Sequence, residues 1–234
     1  TLNYIYDKAD KEAAVHIKQL SAITKDMEGK ELVDMEAMHN AGAIAFSEDG
    51  KSVMDINLYR QAMKKAADMG AVVMAHCEDK DLVGLGVLNE GVASEKYGVP
   101  GICNAVEDVI TARDIFLAND LGTKLHICHC STKGTVELLR MAKRLGANVT
   151  AEVCPHHFTL CDEDIPCDNA DYKMNPPLRS RRDMEALIEG LRNGTMDVIS
   201  TDHAPHSEEE KAKSIAKAPF GITGLETSLC LTYT

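Results

Sequence analysis

The stretch VISTDHAPHSEEE places Asp202, His203 and His206 within five positions, directly behind a short apolar run. A carboxylate buried at a strand end costs several kcal/mol unless a cation or a hydrogen-bond network compensates it. Candidate partners recur behind other apolar runs. Asp49 follows AGAIAFS, His76 stands at the end of GAVVMAHC, His129 stands at the end of KLHICHC, and His156 and His157 follow ANVTAEVC. Asp49 and Asp202 offer carboxylate oxygen and His76 and His129 imidazole nitrogen, a donor set that zinc and other borderline-soft divalent ions accept. A single histidine at a strand end is usually a satisfied structural residue, but two histidines and two aspartates at four strand ends imply a metal site. A carboxylate there can bridge two ions, which draw a shared water toward hydroxide near neutral pH. Asp202 would then hold a metal through one oxygen and take the attacking water's proton with the other. Glu48 stands beside Asp49, and the sequence leaves open which of the two bridges.

These residues need a scaffold that carries them to one place. Six strand-like runs, at 13–23, 41–47, 70–77, 124–130, 147–154 and 196–202, alternate with amphipathic helical patterns, as in α/β proteins with a parallel sheet. The helices have readable ends. SRRDMEALIEGLRNG offers Ser180 as N-cap, Asp183 three residues on, an apolar face of Met184, Leu187, Ile188 and Leu191, and Gly194 as a stop. TVELLRMAKRLG, DINLYRQAMKKAADMG and AVEDVITARDIFLANDLG repeat the pattern and end at Gly146, Gly70 and Gly122. The stretch 78–101 is longer than an ordinary connection and is expected to form an active-site lobe. Six βα units suit either a doubly wound sheet or most of a (β/α)8 TIM-type barrel. No G-x-G-x-x-G occurs, and ligands at the ends of nearly every strand favour a partial barrel of about six units. Strand alternation puts Leu125, Ile127 and His129 on one face, and His126, Cys128 and Cys130 on the other. With His129 directed to the barrel axis, the two cysteines face the helices as inert thiols.

Composition narrows the partners. The formal charge of −12, from 37 acids against 25 Lys and Arg, argues against a nucleic-acid partner. No apolar run approaches the roughly 18 residues of a membrane span. Eight cysteines in a chain of 234 residues are read as cytoplasmic thiols, and CHC at 128–130 lacks the spacing of a structural zinc site. The chain opens on TLNYIYD and stops at LETSLCLTYT, within what reads as ordered structure, so a piece of a larger chain is expected. Asn175, in YKMNPPLR, suits either a hydrogen bond to a ring amide or an Asx-turn. His206 could pair with an anionic substrate group or be structural. APFGITG, with Phe220 and Gly221, could offer backbone N–H groups to a ligand. His16 and His39 read as surface or packing residues.

FSEDG (46–50), AHCED (75–79), HICHCSTK (126–133), AEVCPHHF (151–158), YKMNPPLR (172–179), STDHAPHSEEEK (200–211) and APFGITGLET (218–227) together resemble the bacterial-class dihydroorotases of the amidohydrolase superfamily. The resemblance covers essentially the whole chain. It implies a binuclear zinc centre in a (β/α)8 barrel that hydrolyses the cyclic amide of (S)-dihydroorotate reversibly to N-carbamoyl-L-aspartate by metal-hydroxide attack, in pyrimidine biosynthesis. It further implies Asp49 as the bridge beside the hydroxide, His76 and His129 on the second metal, and Asp202 on the first metal as acid and base. Asn175, His206, Phe220 and Gly221 would hold the small-molecule substrate. A homodimer and association with aspartate transcarbamoylase are compatible with it. The alternatives are an allantoinase or hydantoinase, disfavoured by Asp49 and Asn175, and a noncatalytic transcarbamoylase scaffold, disfavoured because all four ligands are present. Two departures stand out. No H-x-H pair or nearby substrate arginine precedes Asp49, and the C-terminal accessory segment is missing. Residues 1–234 are therefore expected to be the central and C-terminal part of the barrel without its first two strands, holding at most one zinc ion and inactive alone.

Overall fold

The computed structural model describes residues 1–233. Eight strands are formed: β1 Leu20–Ala22, β2 Ala45–Ser47, β3 Val72–Ala75, β4 Leu88–Asn89, β5 Gly101–Ile102, β6 Lys124–Ile127, β7 Val149–Val153 and β8 Val198–Ile199. Six make one sheet in the order β1-β2-β3-β6-β7-β8, with every neighbouring pair parallel. Each falls inside one of the six apolar runs, although the strand in 13–23 occupies only its last residues and that in 196–202 only two. Spatial order follows chain order without reversal, which separates this sheet from a doubly wound one, where the order turns back at a switch point. Among the described residues β1 and β8 are the outermost strands.

The helices form where local chemistry starts and stops them. Asp55 accepts hydrogen bonds from the N–H groups of Asn57 and Leu58 to open the helix Ile56–Met69, and Gly70 closes it at φ 67°. Ser180 accepts from Asp183 N at the head of Arg181–Arg192, and Thr132 accepts from Thr135 N at the head of Lys133–Arg144. Their inner faces (Met63, Ala66, Val136, Leu139 and Leu187) pack on Phe46, Val73, Leu125, Ile127 and Ala151 of the sheet. Buried Asp114 binds the helix Ala105–Leu121 to Ile56–Met69, accepting from Arg113 Nε at 2.8 Å and from Tyr59 OH at 2.9 Å.

The stretch after β3 forms a lobe with a core of its own. The strands β4 and β5 pair with each other, and Val87, Leu88 and Ala93 pack against Ile165, Met174, Leu178 and Ile215. Gly101 is required there, because a Cβ would lie 2.7 Å from Glu90 Cα. Buried Arg179 ties the lobe to the sheet, donating to the Ile102 carbonyl at 2.6 Å, to Asn89 Oδ1 at 3.3 Å and to Ser131 Oγ at 3.1 Å. No helix among the described residues is long and apolar enough to cross a membrane.

Candidate metal centre

Three of the four residues read as ligands meet. Asp49, His76 and His129 each offer a ligand atom, all within 4.8 Å of one another. They stand just past the ends of β2, β3 and β6, so adjacent parallel strands deliver them to the same edge of the sheet. The rings of His76 and His129 meet edge to face, with His76 Nδ1 2.9 Å from His129 Nε2. Both rings are buried, and His129 Nδ1 has no hydrogen-bond partner among the described residues. Burial and the neighbouring His76 hold His129 below its ordinary pKa. An orphaned buried nitrogen in a carboxylate-and-imidazole group fits a divalent cation.

Glu48 is occupied elsewhere. Its carboxylate accepts from Ile23 N at 3.1 Å, from Thr24 N at 3.0 Å and from the Thr24 hydroxyl, which caps the end of β1. Asp49 is exposed and free to face the histidines. Asp202 lies outside the three-residue group, yet its charge acts on His129 and on Cys128. Its backbone is left-handed at φ 47°, a conformation that aspartate tolerates better than most residues.

Strand alternation misplaced the fourth run. Leu125 and Ile127 belong to the core shared with the helices, whereas His126 faces the opposite side. There its Nδ1 lies 2.8 Å from Thr150 Oγ1 and its Nε2 3.1 Å from Glu152 Oε2, and Cys128 joins His126 and Glu152 within 4.8 Å. Of the residues expected to face the helices, only Cys130 does so. Period-two alternation fails because β6 ends at Ile127 and His129 takes a left-handed φ of 32°, which turns its side chain off the alternating pattern. Glu152 Oε1 accepts from His129 N at 3.2 Å and steadies that turn.

Glu78 was overlooked. It lies 3.7 Å from His76 Nε2 and accepts a short hydrogen bond from Asn175 Nδ2. Burial would raise its pKa, but the nearby His76 and the bond from Asn175 outweigh burial and hold it below the usual carboxylate range. The signal was its place in AHCED, two residues beyond His76 and so on the same side of an extended chain. Asn175 is thus held by Glu78 rather than by an Asx-turn of its own.

His206, Phe220 and Gly221 come together at the segment beyond β8. His206 Nε2 lies 2.8 Å from the Phe220 carbonyl, and Lys173 Nζ sits 4.5 Å from the Phe220 ring centroid. A cavity of about 530 Å³ is lined by His206, Lys211, Gly221 and Asp171 among others. Gly221 does not offer its N–H to a ligand, because that group already donates to the Lys173 carbonyl at 3.0 Å. Glycine is needed there for contact: at φ 128° a Cβ would lie 2.5 Å from the Ala204 carbonyl oxygen.

Comparison with known proteins identifies the family. A family model described as dihydro-orotase-like matches residues 1–135. A dihydroorotase of Geobacillus sp. (strain WCH70) is 50% identical over 233 residues, covering 100% of this chain and 55% of that protein. A dihydroorotase of Brevibacillus brevis is also 50% identical, over 237 residues with the same coverage. The chain spans about half the length of the curated relatives it matches. Among solved structures, an L-hydantoinase (dihydropyrimidinase) from Arthrobacter aurescens superposes with TM-score 0.79 at 24% identity, covering 100% of this chain and 55% of that one. The dihydroorotase of Saccharomyces cerevisiae in complex with 5-fluoroorotic acid gives TM-score 0.74 at 17% identity, covering 100% and 66%. At these identities the structures establish the fold alone.

Proposed function

Since this chain belongs to the dihydroorotase-like family, we propose that the whole protein interconverts dihydroorotate and N-carbamoyl-L-aspartate. The observation that carries this reading is the meeting of Asp49, His76 and His129 at one sheet edge with a buried ring nitrogen left unpartnered. The relatives at 50% identity, named dihydroorotases, support the substrate. In this reading Asp49, His76 and His129 hold zinc. Further ligands and the strands that close the barrel come from sequence outside these 234 residues, in keeping with the half-length coverage of the relatives. The ion, when bound, polarises the amide carbonyl and acidifies water.

The chain's own residues supply the remaining steps. Asp202 accepts the proton of the attacking water as its oxygen joins the carbonyl carbon, and returns a proton to the ring nitrogen when the C–N bond breaks. Glu78 fixes the amide of Asn175, whose oxygen is then directed to accept an N–H of the substrate ring. His206, anchored through the Phe220 carbonyl, faces the substrate carboxylate. A steady-state comparison of the whole protein on dihydroorotate, hydantoin and allantoin tests the reading. Strong preference for dihydroorotate is expected, and equal or better turnover of allantoin or hydantoin would overturn it.

A further inference from the structure

A softer set of ligands stands directly behind β7. Cys154, His156 and His157 are buried and each offers one ligand atom, all within 4.8 Å of one another. His157 Nε2 lies 2.9 Å from the Pro176 carbonyl oxygen. A carbonyl only accepts, so Nε2 carries the proton and Nδ1 keeps the lone pair. That Nδ1 has no hydrogen-bond partner among the described residues, and neither has His156 Nε2. The two residues are only 2% and 6% exposed, so water does not readily serve them. An unpartnered buried nitrogen is costly, and the two stand in adjacent residues beside a thiol.

The cluster around Cys128 shows that this is not the general condition of the sheet edge. His126, Cys128 and Glu152 lie equally close together, but His126 is bonded through both nitrogens and Glu152 through both oxygens. Neither its imidazole nor its carboxylate is left bare. In the Cys154 group, by contrast, the thiol has a weak partner in Ser200 Oγ at 3.4 Å, a hydroxyl able to donate to a thiolate. A ring that donates one N–H to a backbone carbonyl and leaves the other nitrogen bare is also the arrangement of metal-ligating histidines.

We propose that Cys154, His156 and His157 form a metal site of their own for a thiophilic divalent ion such as zinc, separate from the Asp49, His76 and His129 group. Three protein ligands leave a position for water or a further donor. The ion would neutralise the thiolate and satisfy both imidazoles. Through His157 and Pro176 it would also fix the loop that carries Asn175. The sequence expectation of at most one ion did not count these residues, so the chain should hold a second.

Cobalt(II) titration of the metal-free chain tests this, because a cobalt–thiolate bond gives a near-ultraviolet charge-transfer band that oxygen and nitrogen ligands do not. The band should appear in the unsubstituted chain and persist in Cys128→Ser. Cys154→Ser, whose hydroxyl can still bond Ser200, should lose the band and one equivalent of ion with an unchanged circular dichroism spectrum. Should that variant fail to fold, His156→Gln must weaken the band. Asp49→Ala should lose a different equivalent and keep the band. If Asp49→Ala loses nothing while Cys154→Ser loses the band, the Asp49 centre fails and this site stands. No band in the unsubstituted chain, or a band that survives in Cys154→Ser, would overturn the proposal.

Discussion

Around His129, His156 and His157 three imidazole nitrogens are buried without partners among the described residues, whereas in the segment 203–224 the chain holds its own polar groups. His203 Nδ1 accepts from Gly224 N at 3.0 Å, and His206 bonds the Phe220 carbonyl. Lys211 donates to the carbonyls of Lys173, Pro219 and Gly221 at 3.3, 3.3 and 2.7 Å. A polar atom left bare in a protein interior costs stability, so it persists where a ligand repays the cost. A loop stitched through its backbone is shaped in advance and presents surfaces rather than lone pairs. The strand ends therefore carry unpartnered ring nitrogens, and the segment beyond β8 is bonded to itself. Substitutions in the two regions should separate binding from order.

The sheet beneath both regions sets the scale. Phe46 is fully buried, and Phe46→Ala should destabilise the chain by about 3–5 kcal/mol in denaturant titrations. An effect near zero would mean that the two regions do not share one cooperative support. At the strand ends, Asp202→Asn in the whole protein should lower kcat by about 10²-fold or more and move KM far less, because Asp202 is assigned a proton transfer. A loss confined to KM would move Asp202 to the holding side of the comparison.

Acid should strike the strand ends first. Burial, followed for His156 by the charge of His157, lowers His156 to about 2, and burial lowers His157 to about 3 against the Pro176 bond, both from an ordinary 6.5. The unfolded chain therefore binds more protons than the folded one below pH 6.5. The stability these neutral rings contribute is complete above that pH and is lost as pH falls toward about 3, at roughly 1.4 kcal/mol per pH unit for each ring. Melting of the metal-free chain across that window should show it, and His156→Gln should flatten the slope.

Smaller effects distinguish the loop. Lys211→Met removes three bonds from a partly exposed ammonium and should cost about 1–2 kcal/mol, with faster hydrogen exchange confined to 203–224 and unchanged cobalt binding. A change in metal affinity would show that the two regions are coupled. Smallest of all, Asp49→Asn should leave metal-free stability within about 0.5 kcal/mol because Asp49 is exposed, while removing one equivalent of ion.

Much of the scaffold was legible in the sequence because it rests on local rules. Apolar runs separated by capped helices identify the six sheet strands, and Ser180, Gly70 and Gly122 mark helix ends through their own backbone chemistry. The residue types at the strand ends likewise identify Asp49, His76 and His129 as a group, since parallel strands that follow one another present their ends at one edge. Tertiary structure decided what depends on neighbours distant in the chain. Glu48 and Asp49 are equivalent as adjacent acids, and only the approach of Ile23 and Thr24 engages Glu48 while Asp49 stands beside the histidines. Glu78 meets Asn175 across 97 positions of sequence, a contact that no periodicity encodes. The face taken by His129 follows from a single left-handed dihedral that Glu152 steadies from the next strand, and one such angle cancels the alternation on which a sequence reading of that strand depends.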